Sequence, residues 1–333
     1  MNRYGPQVIA LGEVMLRFDR SQRHTCAAPS LQVWEGGGEY NVVRGLRRSF
    51  GVWTAVVTIL ADNTVGRIVE DLILRAGVDT ALVHWAPGDA TKGRARTGAI
   101  FTERGFGIRS APGISDRANT VVRGLRTGDI DWDAVFASGP RWFHTGGAFA
   151  GLSETTVEVA DEAMTAARRH GMTVSYATNC RPESRENQGR ADSAREVDLR
   201  LARHADVVVG ALSLTGPRSG QATRIHAGEV SDILPHIAKL VPQASVLAIT
   251  PHELPATGVN VCPSAAWSLP TGVVTHPPMP EFQVLEHIGS GDGFTAGLIY
   301  GLLTAADTLS EGLKVTILQR ALTYGALVMT GAR

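Results

Sequence analysis

With 333 residues, the chain is long enough to bury a large core as one big α/β domain or two smaller ones. Its 32 Lys and Arg are balanced by 32 Asp and Glu, which argues against non-specific nucleic-acid binding, since that needs an excess of cations to neutralise phosphates. The 3 cysteines, Cys26, Cys180 and Cys262, lie far apart without C-x-x-C spacing, so neither a disulfide framework nor a zinc site is expected, and a reducing cytoplasm is.

Val8 to Leu11 is a short apolar run that stops at Gly12, read as a buried first strand, and nothing in residues 1–12 has the layout of a secretion signal. Gly36, Gly37 and Gly38 lead into a helix over Asn41 to Phe50, and Thr54 to Leu60 reads as a second strand. Val65 to Ala76 is helical and closed by Gly77. From about Lys92 to Asn119 the composition turns to Gly, Arg, Ser and Thr, with alternating patches such as Thr97 to Thr102, which predicts hairpins outside the main sheet. Strand–helix alternation resumes at Trp142. Strands are expected at Trp142 to Thr145, Met172 to Tyr176, Asp206 to Val209 and Ser245 to Thr250. Helices are expected at Ser153 to His170, Ala194 to His204, Glu229 to Leu240, Phe294 to Leu303 and Arg320 to Met329. Repeated strand–helix units predict an α/β fold with a mostly parallel sheet, helices on both faces, and ligands at the carboxyl ends of the strands. With no linker and no internal repeat, the reading is one domain over residues 1–333, with a small β lid from about 14–36 and 84–117. No apolar run approaches the roughly 20 residues a membrane-spanning helix needs.

The most informative segment is Gly289-Ser290-Gly291-Asp292-Gly293-Phe294-Thr295-Ala296-Gly297. It has almost no side-chain bulk and opens onto an apolar helix. First-turn N–H groups at such a junction lack intrahelical partners, and the helix dipole adds positive character, which makes a site for an anion, most simply a phosphate. A carboxylate in its midst is unfavourable unless its charge is used, for example to take a proton from an attacking hydroxyl. The plainer alternative is a turn with Asp292 as helix cap. A second segment, Gly36-Gly37-Gly38-Glu39-Tyr40-Asn41, pairs close backbone approach with an asparagine that can both donate to and accept from a hydroxylated ligand; here too a structural turn is the alternative. Arg44, Arg47 and Arg48 form a basic face read as solvated. The chain carries no G-x-x-x-x-G-K-[ST], no G-x-S-x-G and no H-E-x-x-H.

Together these motifs resemble the ribokinase, or phosphofructokinase-B, family of carbohydrate kinases over nearly the whole chain. The C-terminal segment is similar to that family's G-A-G-D-x-F-x-x-G, with Ser290 in place of alanine. The first segment resembles its G-G-A-E-A-N form, found in 2-keto-3-deoxygluconate kinases. Gly12-Glu13-Val14-Met15-Leu16-Arg17 and Ala61-Asp62-Asn63-Thr64-Val65-Gly66-Arg67 look like the same subgroup. So do Ile114-Ser115-Asp116-Arg117-Ala118, similar to a Y-x-R stretch, and Ser175-Tyr176-Ala177-Thr178-Asn179-Cys180-Arg181, similar to S-F-D-x-N-Y-R. The resemblance implies a ribokinase-like, doubly wound fold whose β lid pairs in a homodimer. It further implies phosphorylation of a primary hydroxyl on a sugar or sugar acid, with ATP and Mg2+ as cofactors. In that scheme Gly289, Ser290 and Gly291 form the anion hole and Asp292 is the base. Gly36, Gly37, Asn41 and Asn179 contact the sugar, and Arg117 and Arg181 hold a carboxylate.

The chain departs from the family at several positions. Ser115 replaces the tyrosine and Ala177 the aspartate of the two stretches above. Gly210-Ala211-Leu212-Ser213-Leu214 stands where the family has an N-x-x-E that organises magnesium through water, and Pro251-His252-Glu253-Leu254-Pro255 replaces a glycine-containing turn. These changes leave two other readings open: a non-catalytic member that binds a sugar-like ligand or a protein, and an enzyme on the same fold acting on a non-sugar alcohol or phosphoester. Also open is whether Glu13, Glu39 or Glu253 replaces the lost metal-organising carboxylate.

Overall fold

The computed structural model describes residues 5–19, 30–87, 96–102, 113–180, 190–211, 214, 227–249, 252–253, 262–263, 266–269, 272–275, 282, 288–305 and 310–330. In chain order the first half forms β1 (Val8–Leu11), β2 (Met15–Asp19), β3 (Gln32–Gly36), α1 (Gly38–Phe50), β4 (Thr54–Asp62), α2 (Thr64–Arg75), β5 (Val83–Pro87), β6 (Ala99–Thr102) and β7 (Gly113–Asp116). There follow α3 (Trp132–Phe136), β8 (Trp142–Gly146), α4 (Gly147–Ala150), α5 (Glu154–Arg169), β9 (Thr173–Ala177), α6 (Arg190–Ala202), β10 (Val207–Val209), α7 (Ala227–Leu240) and β11 (Val246–Ile249). The chain continues with β12 (His252–Glu253), β13 (Cys262–Pro263), β14 (Ala266–Leu269), β15 (Gly272–Thr275), α8 (Ser290–Thr304) and α9 (Glu311–Met329).

Nine strands form the main sheet in the order β15-β14-β11-β10-β9-β8-β1-β4-β5. The seven from β11 to β5 run parallel, and β14 and β15 extend the edge antiparallel. Alternate residues of a strand point to opposite faces, and both faces are apolar here, as a sheet covered on both sides requires. Ile9 and Leu11 of β1 enter one core with Val157, Ala160 and Met164 of α5, Leu201 of α6 and Leu234 of α7. Val8 and Ala10 enter the other with Val43 and Leu46 of α1, Ile73 of α2, Leu298 of α8 and Leu318 of α9. This is the mostly parallel, doubly wound sheet that the alternation of elements predicts.

A second sheet, ordered β3-β2-β6-β7, stands apart from the first. The stretch 84–117 expected in the lid therefore divides. Val83–Pro87 pairs in parallel with β4 in the main sheet, whereas β6 and β7 join the second sheet. The closing helix also starts nine residues earlier than Arg320. Ser310 caps it, accepting from the Leu313 N–H at 3.3 Å, the kind of N-cap that fixes a helix start.

Helices α8 and α9 pack unusually closely. Gly293, Gly297 and Gly301, four residues apart, share one face of α8. A Cβ on Gly297 would lie 2.7 Å from Ala321 Cα, and one on Gly301 only 2.6 Å from Ile317 Cγ2. In return Gly325 of α9 sits under the first turn of α8, where a Cβ would come 3.0 Å from the Ser290 carbonyl oxygen. The last helix thus buttresses the glycine-rich loop that begins α8.

Candidate active site

The direction of winding reverses at β1, which lies between β4 and β8. The carboxyl ends of strands beside such a switch point are where open α/β sheets bind ligands. Both glycine-rich segments come together there. Asn41 Nδ2, on α1, donates to Asp292 Oδ2, on α8, at 2.8 Å across 251 positions of sequence.

Gly289 precedes α8 in the left-handed region, φ 86°, and supplies no side-chain cap; a glycine takes this conformation without steric penalty. Gly291 is exposed, with nothing within 4 Å of where its Cβ would be. A phosphate can therefore approach the loop backbone at the positive end of a 15-residue helix.

Opposite this loop, the missing side chain of Gly38 leaves a space bordered by polar groups. A Cβ there would lie 3.5 Å from Asn179 Nδ2 and 3.9 Å from Asp292 Oδ1. Asn179 Oδ1 accepts from the Ala148 N–H at 2.7 Å, which fixes the amide with its donor end toward that space. Gly36 and Gly37 form the approach to α1, and Gly37 packs so tightly that a Cβ would fall 2.0 Å from the Glu13 carbonyl oxygen. Arg117 enters from the end of β7. Its Nε donates to Glu13 Oε2 at 2.6 Å and its Nη2 to the Ala148 carbonyl at 3.0 Å. The guanidinium thus reaches the site with part of its fork already engaged by a carboxylate that is only 1% exposed. Of the sequence-derived site residues, Arg181 lies outside the described residues.

The sequence singles out Glu39 only as a stand-in metal ligand, and the structure gives it another setting. It is buried, and its Oε1 accepts from the Phe149 N–H at 3.0 Å. Burial pushes its carboxyl up from 4.5 to about 7, with the Asp292 charge adding to the rise and the Arg117 charge opposing it. The folded state therefore holds this proton more tightly than the unfolded chain. Its contribution to stability is full below pH 4.5 and is lost as pH rises through about 7. The loss is on the order of 3 kcal/mol. Glu39→Gln should accordingly raise stability over wild type at about pH 8 and change it little at about pH 4.5, read by urea unfolding at both values. An equal difference at the two pH values would contradict this assignment.

At the two positions expected to organise metal, the described side chains are apolar. Ala211 and Leu214, at the N-x-x-E positions, are fully buried, and Leu214 offers only its carbonyl, to Arg195 Nε at 3.0 Å. Glu13 Oε2 accepts from Arg117 and Glu39 Oε1 from the Phe149 N–H. Among the described residues no group of three or more His, Cys, Asp or Glu is placed to hold a metal ion. Within the described residues, the loop before α8 is open to a phosphate. Also among them, no helix is long and apolar enough to cross a membrane.

Comparison with known proteins identifies the family and the fold. The family model described as pfkB family carbohydrate kinase matches residues 6–332. No curated protein matches the chain. Among solved structures, the 2-dehydro-3-deoxygluconokinase of Thermotoga maritima is similar with a TM-score of 0.82 at 23% identity, over 97% of this chain and 93% of that one. A PfkB family carbohydrate kinase from Listeria grayi gives 0.81 at 20% identity, covering 97% and 94%. The ATP-bound fructokinase of Xylella fastidiosa gives 0.73 at 19%, covering 98% and 93%. At these identities the likeness shows a shared ribokinase-like fold, while the family match spans nearly the whole chain: this protein belongs to the pfkB family of carbohydrate kinases.

Proposed function

We propose that this carbohydrate kinase transfers the γ-phosphoryl group of ATP to a primary hydroxyl of a sugar or sugar acid, with Asp292 as the general base. The hydrogen bond between Asn41 and Asp292 carries the reading, because it ties the hydroxyl-binding helix to the phosphate-binding loop at one atom pair. The acceptor O–P bond forms as the bond from the γ-phosphorus to the bridging oxygen breaks. The hydroxyl proton passes to the Asp292 carboxylate, and ADP leaves. Such a transfer depends on alignment and charge stabilisation more than on covalent catalysis. Asn41 orients the carboxylate. The N–H groups of residues 289–291 receive the phosphoryl charge. Gly36, Gly37, Asn179 and Arg117, with Arg181, hold the acceptor. Magnesium, held on the nucleotide phosphates with waters completing its shell, would neutralise charge on the transferred group. 31P NMR of the product should show an ester signal split by two methylene protons. Splitting by one proton would place the ester on a secondary hydroxyl and sink that part of the reading.

The second sheet serves in this reading as a lid that excludes water and as the contact between two copies of the chain. Its strand register places Val33, Phe18, Phe101 and Ile114 side by side in one row. The Phe18 and Phe101 rings stack at 5.0 Å, yet Val33, Phe101 and Ile114 are 41%, 44% and 69% exposed. An apolar row of this kind is what an interface covers. The double change Phe101→Asp with Ile114→Asp should convert a dimer to a monomer in analytical ultracentrifugation. A wild-type monomer at all concentrations would overturn the pairing.

A further inference from the structure

Arg96 stands outside every motif, and its guanidinium brackets the residue that enters the acceptor site. Its Nη1 donates to Asp116 Oδ2 at 2.6 Å and its Nη2 to Asp116 Oδ1. Its Nε and Nη2 also donate to the Ala118 carbonyl, at 2.8 and 2.6 Å. Asp116 and Ala118 are the neighbours of Arg117 on either side, so one planar fork clamps the backbone from which Arg117 projects. These four bonds use four of the five guanidinium donors, which leaves Arg96 poorly equipped to be a ligand-binding arginine itself.

The surroundings fit a locating device. The Arg96 carbonyl accepts from the Val121 N–H at 3.0 Å, so the clamp is closed from the backbone side as well. Two residues further on, the Gly98 carbonyl accepts from the Leu16 N–H at 3.0 Å, anchoring this stretch to β2. Immediately past Ala118 the chain turns through Asn119 at φ 56°, a left-handed conformation that asparagine tolerates better than most residues. The hydrogen bonds from Arg96 hold the Asp116 carboxyl below the usual carboxylate range. Both side chains of the pair are about half exposed, and ion pairs in such settings contribute little to global stability. What the bidentate fork does supply is direction.

We infer that Arg96 is a positioning residue for the acceptor pocket: by clamping Asp116 and Ala118 it sets where the Arg117 guanidinium lies, against Glu13 and the Ala148 carbonyl. The inference rests on the placement of Arg117 in that pocket. Small displacements of a positioning group are costly to a reaction that depends on alignment. Arg96→Ala should therefore raise the acceptor KM about tenfold. It should leave the ATP KM and the thermal midpoint close to those of wild type. Arg96→Lys keeps the charge but not the fork, and should stay impaired in the same parameter.

The decisive test is a double-mutant cycle on acceptor KM with Arg96→Ala, Arg117→Ala and the pair. With Arg117 removed, Arg96→Ala should have no further effect. Additive effects, or an Arg96→Ala protein whose acceptor KM equals wild type, would overturn the inference. So would full rescue by Arg96→Lys, since charge alone would then suffice. Failure of the underlying reading looks different: Arg117→Ala alone would leave the acceptor KM unchanged.

Discussion

Replacing Asp292 with asparagine should lower kcat by about 10³-fold, within the range that positioned general bases contribute. The change is nearly isosteric, and the amide retains an oxygen that can accept from Asn41, which sits 2.8 Å from the carboxylate. The site should therefore keep its shape and lose only the proton acceptor. Both kcat and kcat/KM for the acceptor should fall together, the pattern of an interaction made in the transition state. ATP binding, measured by calorimetry, should persist. A kcat within tenfold of wild type would mean that another group takes the proton.

The second large effect is expected from Gly37→Ala. The glycine has an extended φ of 164°, open to any residue, so the barrier is space and not backbone strain. Its Cβ would lie 2.0 Å from the Glu13 carbonyl oxygen and 3.1 Å from the carbonyl carbon. Neither is a flexible side-chain end, so the segment carrying Glu13 must move, and Glu13 is the carboxylate that grips Arg117. Overpacking of this kind costs about 3 kcal/mol, and acceptor turnover should fall about 100-fold through lost alignment. The neighbour is the control: a Cβ on Gly36 would meet nothing closer than Arg17 Cβ at 3.8 Å, so Gly36→Ala should unfold near the wild-type midpoint. Equal midpoints for both variants would show that the close approach at Gly37 relaxes freely.

The contrast between these glycines illustrates what could be read in advance. The two glycine-rich segments and Asp292 can be picked out because a glycine-rich turn opening a helix is written in consecutive residues, and the structure brings the two segments together. The alternation of strand and helix was equally plain, since strands buried on both faces, such as Val8–Leu11, leave continuous apolar runs. The close packing at Gly297 and Gly301 depends on what Ala321 and Ile317 present from another helix.

Other features depend on partners distant in sequence. Nothing near Glu39 in the chain reports its burial or its proximity to Phe149, 110 residues on. The arginine motif marked Arg117, but not that Glu13 would occupy part of its fork from 104 positions away. Arg96 lies in the stretch read only as hairpins outside the main sheet, and the pairing of β6 with β7 brings it against Asp116 and Ala118. Val83–Pro87 was hard to place for a different reason. It is a mixed sequence on an edge strand, with its proline at the end where no further ladder bond is needed.

The most direct measurement is ADP release by wild type and Asp292→Asn side by side, with ATP, Mg2+ and a panel of neutral sugars and sugar acids. Acceptor-dependent release by wild type, lost in the variant, is the predicted result, and the acceptor that gives it names the substrate class. Equal release by the two proteins, or no release on any acceptor by folded wild type that binds ATP, would contradict phosphorylation of a sugar hydroxyl by Asp292.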